Sequence, residues 1–250
     1  MVRLAQGEVH VWRAKLLPPT AGQLSTLSAD ERERAETYRS GHDRSRFIAA
    51  RSLLRQIIGG YLDRSPAELA FRYGPHGKPE LTGEEPLRFN LSHAADMALF
   101  AVALDMELGV DLESASVLLE PESVVQRCMS QRERRRLHQV GSETRSEAIL
   151  ATWVRKEAVA KGRGEGMGLP LDKIETRPGM PASGNRVGVR IWPRDRWFVW
   201  DIPVGRGGAG ALATRQKGVS VRLLDHPHTV VDLTGPAPLP SRDLSASLTP

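Results

Sequence analysis

Two long stretches of helical periodicity, each followed by a block of short strand-like segments, limit what this chain can fold into. In the first stretch, residues 20–62, Phe47, Leu54, Ile57, Ile58 and Tyr61 recur at helical spacing. Ser28 or Asp30 is placed to cap it, and Gly59-Gly60 lies near its end. Ahead of it, Val9 and Val11 alternate with His10 and Trp12 as in a strand. Ser65-Pro66-Ala67-Glu68 suits a short helix with proline in its first turn. Residues 73–81, YGPHGKPEL, form a turn-rich loop before strand-like segments at 87–91, 97–104 and 108–113. The second helical pattern runs with breaks from Pro121 to about Lys161, and a glycine-rich loop at 162–170 follows. Four more strand-like segments come next, at 186–192, 196–202, 210–214 and 219–224. The order predicts an α+β fold of two similar halves, residues 1–107 and 108–235. Residues 236–250 have the composition of a disordered tail.

Composition narrows the function classes. The longest apolar run, Met97 to Leu104, is eight residues, against about 20 for a membrane span. The first residues lack the apolar segment of a secretory signal, so a soluble, cytoplasmic protein is expected. The single cysteine, Cys128, excludes an intrachain disulfide and a cysteine zinc cluster. The formal net charge of +5, carried almost wholly by arginine, suggests an anionic partner: a phosphate, an acidic protein or a nucleic acid. Nucleic acid is disfavoured, because no helix-turn-helix, zinc site or aromatic stacking motif accompanies the charge.

Four local patterns carry chemistry. In Gly109-Val110-Asp111-Leu112-Glu113, strand alternation aims Asp111 and Glu113 to one side while Val110 and Leu112 pack on the other. Two carboxylates about 6–7 Å apart repel unless cations lie between them. Few, hard oxygen donors suit Mg²⁺, which takes one or two carboxylates with phosphate and water. In Trp153-Val154-Arg155-Lys156-Glu157-Ala158-Val159-Ala160-Lys161, Glu157 and Lys161 share a helix face. In Phe89-Asn90-Leu91-Ser92-His93, a hydroxyl and an imidazole at a strand end can donate to phosphate oxygens. No G-x-S-x-G turn supports a hydrolase. In Gly77-Lys78-Pro79, a tight loop holds a lysine. Alone, each has an ordinary structural explanation: an acidic strand face, a surface ion pair, a strand-end cap and a solvated loop.

Together, G-K-P, F-N-L-S-H, G-V-D-L-E and W-x-x-K-E-A-x-x-K, in this order, resemble the 4′-phosphopantetheinyl transferases. The similarity is to the larger monomeric type acting on nonribosomal peptide and polyketide synthases, and it covers residues 49–170 most specifically. It implies two α+β halves related by a pseudo-two-fold, with the active site between them. It implies Mg²⁺, with Mn²⁺ able to substitute, on Asp111, Glu113 and Glu157 against the pyrophosphate of coenzyme A. Lys161 would meet the same phosphates, as would Ser92 and His93; Lys78 and Pro79 would lie along the nucleotide. Arg51 would read the 3′-phosphate, with Arg46 as a helper. The reaction implied is transfer of 4′-phosphopantetheine to a serine of an acyl or peptidyl carrier protein, releasing 3′,5′-ADP. Glu133 falls where the family carries an acidic residue and is one candidate for the base, Glu157 or a water being others. Equally, Ser130-Gln131-Arg132-Glu133 is a capping box. The arginines at 132 and 134–136 read either as a solvated helix face or as a docking face for an acidic carrier.

Overall fold

Two five-stranded sheets, each backed by a 22-residue helix, meet face to face in the computed structural model. The structure describes residues 3–118, 120–165, 168–179, 186–191, 195–226 and 229–232. The predicted tail lies outside them.

The chain begins with β1 (Glu8–Lys15) and three helices, α1 (Ala21–Ser25), α2 (Ala29–Glu36) and α3 (Gly41–Leu62). The continuous helical pattern is thus cut into three pieces. The cuts fall where Thr20, Ser28 and Ser40 stand as N-caps; the Thr20 and Ser40 side chains accept the backbone N–H of Gln23 and Asp43. A small hairpin follows, β2 (Phe71–Tyr73) with β3 (Pro79–Leu81), and then the long pair β4 (Leu87–Ala94) and β5 (Met97–Leu104). The second half repeats the plan: β6 (Leu108–Ser114), helices α4 (Pro121–Cys128), α5 (Gln131–Leu137) and α6 (Ser142–Arg163), then β7 (Ile174–Glu175), β8 (Arg186–Ile191), β9 (Asp195–Ile202) and β10 (Gly208–Thr214). In each half the leading strand pairs antiparallel with the last strand of the later hairpin, giving β1-β5-β4 and β6-β10-β9.

Period-two alternation builds the layers. Val9 and Val11 of β1 and Val110 and Leu112 of β6 enter the core between the sheets, while Trp12 turns the other way to pack under α3. Val154 and Ala158 of α6 cover the far face of the second sheet against Trp197 and Val199.

One part of the sequence-based division is corrected. The last strands, β11 (Ser220–His226) and β12 (Thr229–Asp232), return to the first sheet, which runs β12-β11-β1-β5-β4. β11 pairs in parallel with β1, and Val221 and Leu223 enter the core between the sheets. Covering the open edge of β1 and burying two aliphatic side chains is the physical reason for the return. Among the described residues no helix is long and apolar enough to cross a membrane.

Candidate active site

The seam between the halves brings the carboxylate strand β6 under the last turns of α6. Gly109 makes this approach possible: a Cβ there would collide with the carbonyl oxygen of Ala158 and the amide nitrogen of Gly162. The next residue on that side is Asp111, 2% exposed. Its Oδ1 accepts from Lys161 Nζ at 2.6 Å and from Ser92 Oγ at 3.0 Å. Its Oδ2 is buried and has no hydrogen-bond partner.

The neighbouring acids feel this crowding. Burial and then the charge of Asp111 push Glu113 up to about 7. Burial, with Asp111 again second, raises Glu157, although Trp153 Nε1 donates to it at 3.3 Å. An orphaned carboxylate oxygen beside two reluctant acids is a donor set that a hard cation would complete. Among the described residues no three acidic, histidine or cysteine side chains already surround one point. The geometry therefore fits an ion held by one or two carboxylates, with oxygens from a ligand filling the remainder.

Beside this strand opens a cleft of about 350 Å³ whose lining includes Arg51, Lys78, Ser92, His93, Glu113 and Lys161. Arg51, from α3, is 6% exposed, and its Nη1 is buried without a partner. The guanidinium lies 5.6 Å from the Phe47 ring centre and 5.5 Å from that of Tyr73. A buried, incompletely paired cation on a cleft wall is costly unless an anion visits it. Burial, and then Lys161, Arg46 and Arg51, lower the pKa of His93 below the ordinary imidazole value. Arg34, Tyr38 and His76 also line the cleft without any local pattern singling them out, and Phe47, read from the sequence only as part of a helix face, lines it too.

Other predicted residues take different places. Pro79 is buried in the cleft wall. Lys78 turns its amine inward, donating to the carbonyls of Leu108 at 3.3 Å and Gly162 at 3.2 Å. Arg46 is bound to Asp96 at 3.0 Å and lines an adjoining cavity of about 440 Å³, which also touches His93 and Glu113. Glu133 is fully buried. One of its oxygens accepts from Thr176 N at 2.8 Å, the other from Ser130 N at 2.7 Å and from Lys156 Nζ. The structure makes the capping box and leaves the Glu133 carboxylate no access to a substrate proton. In the arginine run, Arg134 donates to the Met129 carbonyl and Arg136 meets Glu175 at 3.6 Å, while Arg132 and Arg135 face solvent.

The sequence is similar to those of known proteins. Residues 107–198 match the family model described as the 4′-phosphopantetheinyl transferase superfamily, and residues 18–104 match the one for the N-terminal part of 4′-phosphopantetheinyl transferase. The 4′-phosphopantetheinyl transferase HetI of Nostoc sp. is 38% identical over 179 residues, which is 69% of this chain and 75% of that protein. The putative 4′-phosphopantetheinyl transferase slr0495 of Synechocystis sp. is 32% identical over 161 residues, 63% of this chain and 65% of its own length. A holo-(acyl-carrier-protein) synthase from Bacillus anthracis, solved in complex with CoA (3′,5′-ADP), is more distant. It has a TM-score of 0.37 and 16% identity over 44% of this chain and 96% of that one.

Proposed function

Because this chain belongs to the 4′-phosphopantetheinyl transferase superfamily, we propose that it moves the 4′-phosphopantetheine arm of coenzyme A onto a serine of an acyl or peptidyl carrier protein, with Mg²⁺, releasing 3′,5′-ADP. The observation that carries this reading is the pairing of opposites across the cleft. Arg51, whose buried Nη1 lacks a partner, shares the cleft with Glu113, on the strand whose Asp111 has an unpartnered buried oxygen.

Of the three predicted acids, Asp111 with Glu113 or Glu157 would hold the metal, which when bound would neutralise charge on the pyrophosphate. Arg51 receives the 3′-phosphate. Lys161, fixed on Asp111 and Ser92, retains a third N–H for a phosphate oxygen. His93, also on the cleft wall, offers a ring N–H to a phosphate oxygen. Positioning and electrostatic preorganisation then supply most of the rate. With Glu133 sealed in the core, Glu157 or a water takes the serine proton. The adjoining cavity past His93 and Glu113 leaves room for the pantetheine arm.

The test is an intact-mass measurement. An apo carrier protein, incubated with this protein, coenzyme A and Mg²⁺, should gain one phosphopantetheine. A carrier with its serine changed to alanine should gain nothing, and chelation should stop the reaction. Coenzyme A binding without modification of any carrier in a broad panel would defeat the reading.

A further inference from the structure

The two sheets meet along a seam that no backbone ladder closes. β6 is hydrogen-bonded on one side only, to β10, and β4 is the edge strand of the other sheet. The outward amides of β6 therefore need acceptors where water is excluded. Two side chains of β4 supply them. Asn90 Oδ1 accepts from Val110 N at 2.8 Å, and Ser92 Oγ accepts from Leu112 N at 3.2 Å. Both are buried, Asn90 at 4% and Ser92 at 6% exposure. Residues two apart on β4 thus meet amides two apart on β6, as equal strand repeats allow.

Ser92 does more than close the seam. Its hydroxyl donates to Asp111 Oδ1 at 3.0 Å and accepts from Lys161 Nζ at 2.8 Å as well as from Leu112 N. One proton and two lone pairs are the whole capacity of a hydroxyl, so all of it is engaged in the ligand-free protein. We propose that Asn90 and Ser92 are positioning residues, a two-point clamp that fixes β6 against β4, and that Ser92 orients Asp111 and Lys161. Held through Oδ1, Asp111 points its remaining oxygen away from the hydrogen-bonded group. The consequence for catalysis rests on the transferase reading; the clamp itself does not.

Amide hydrogen exchange in the ligand-free protein reads the clamp directly. Ser92→Ala should speed exchange at Leu112, Asn90→Leu should speed it at Val110, and Ser92→Thr should keep the Leu112 amide protected. Unchanged exchange in both variants would overturn the clamp, whatever the protein's activity. The orienting role is read by binding. Ser92→Ala should weaken Mn²⁺ about 10- to 100-fold, as loss of a partner to a ligating carboxylate does. Ser92→Thr should restore the metal affinity. Unchanged Mn²⁺ affinity in Ser92→Ala, with or without a lower melting temperature, would reduce Ser92 to a purely structural contact and overturn the orienting role. Failure of the wild type to modify carriers would count against the transferase reading alone.

Discussion

The two halves of this molecule solve the same packing problem with nearly the same parts, and then diverge within one helical turn. In each, a short helix opens with a serine-capped box whose glutamate is buried: Glu31 in α2, 1% exposed, and Glu133 in α5, 0% exposed. In each, a buried cation of the long helix meets that glutamate: Arg55, fourteen residues after Gly41, and Lys156, fourteen after Ser142. Each cation also serves two backbone carbonyls, Arg55 those of Pro66 and Leu69, Lys156 those of Cys128 and Leu171. Beyond this shared anchor the halves part. One and five residues after Lys156 stand Glu157 and Lys161; at the matching places after Arg55 stand Gln56 and Gly60. Beneath α3 lies Trp12 in an apolar cluster, whereas beneath α6 lie Gly109 and Asp111. The scaffold is duplicated and the chemistry is not: the first half brings the cation Arg51 to the cleft, the second its carboxylates.

The comparison breaks most visibly at the carboxylates. Asp111→Asn should cost roughly three orders of magnitude in turnover, since several kcal/mol of charge stabilisation depend on the site. Its circular dichroism should stay native. Gln56→Glu, at the position matching Glu157, should change turnover by less than about twofold. Near-normal turnover in Asp111→Asn would remove β6 from the site.

Next come the two anchors. Removing one partner of a buried ion pair leaves the other charge stranded, at about 3–5 kcal/mol. Glu31→Ala and Glu133→Ala should therefore lower unfolding free energy by similar amounts in urea titrations, with turnover per folded molecule retained. A stable Glu133→Gln variant without turnover would return Glu133 to the chemistry and end the equivalence.

The smallest effect concerns pH. Glu113 titrates near 7 when folded and nearer 4.5 when unfolded, so the folded state holds the extra proton between those values. Stability of the metal-free protein should then fall as pH rises from about 4.5 through about 7. Glu113→Gln should flatten that fall, and so should saturating Mg²⁺, which favours the carboxylate. A melting temperature that rises across this window in metal-free protein, and equally in Glu113→Gln, would contradict the assignment.

How much of this was legible depends on how local the cause is. The anchors were half visible: Ser130 and Glu133 spell a capping box, but nothing near them names Lys156 as the partner 23 residues on. The D-x-E strand and the E-x-x-x-K helix face were readable because strand and helix periods fix which side chains share a side. That Arg51 keeps a buried Nη1 without a partner while Arg46 is tied to Asp96, 50 residues on, is decided by packing between distant segments. The inward turn of Lys78 depends on carbonyls of β6 and α6, and the return of β11 on a pairing with β1 across more than 200 residues. No local pattern encodes either.

The central claim is that the cleft joins two independent contributions, a phosphate-binding cation from one half and metal-binding carboxylates from the other. Calorimetric titration of coenzyme A into wild type, Arg51→Ala and Asp111→Asn, each with Mg²⁺ and with chelator, tests it most directly. Arg51→Ala should lose affinity in both conditions and lose any preference over 3′-dephospho-coenzyme A. Asp111→Asn should match wild type in chelator and lose only the increment that Mg²⁺ provides. If both variants lose the same part of the affinity, or if Asp111→Asn keeps the Mg²⁺ increment, the division of labour between the halves is wrong.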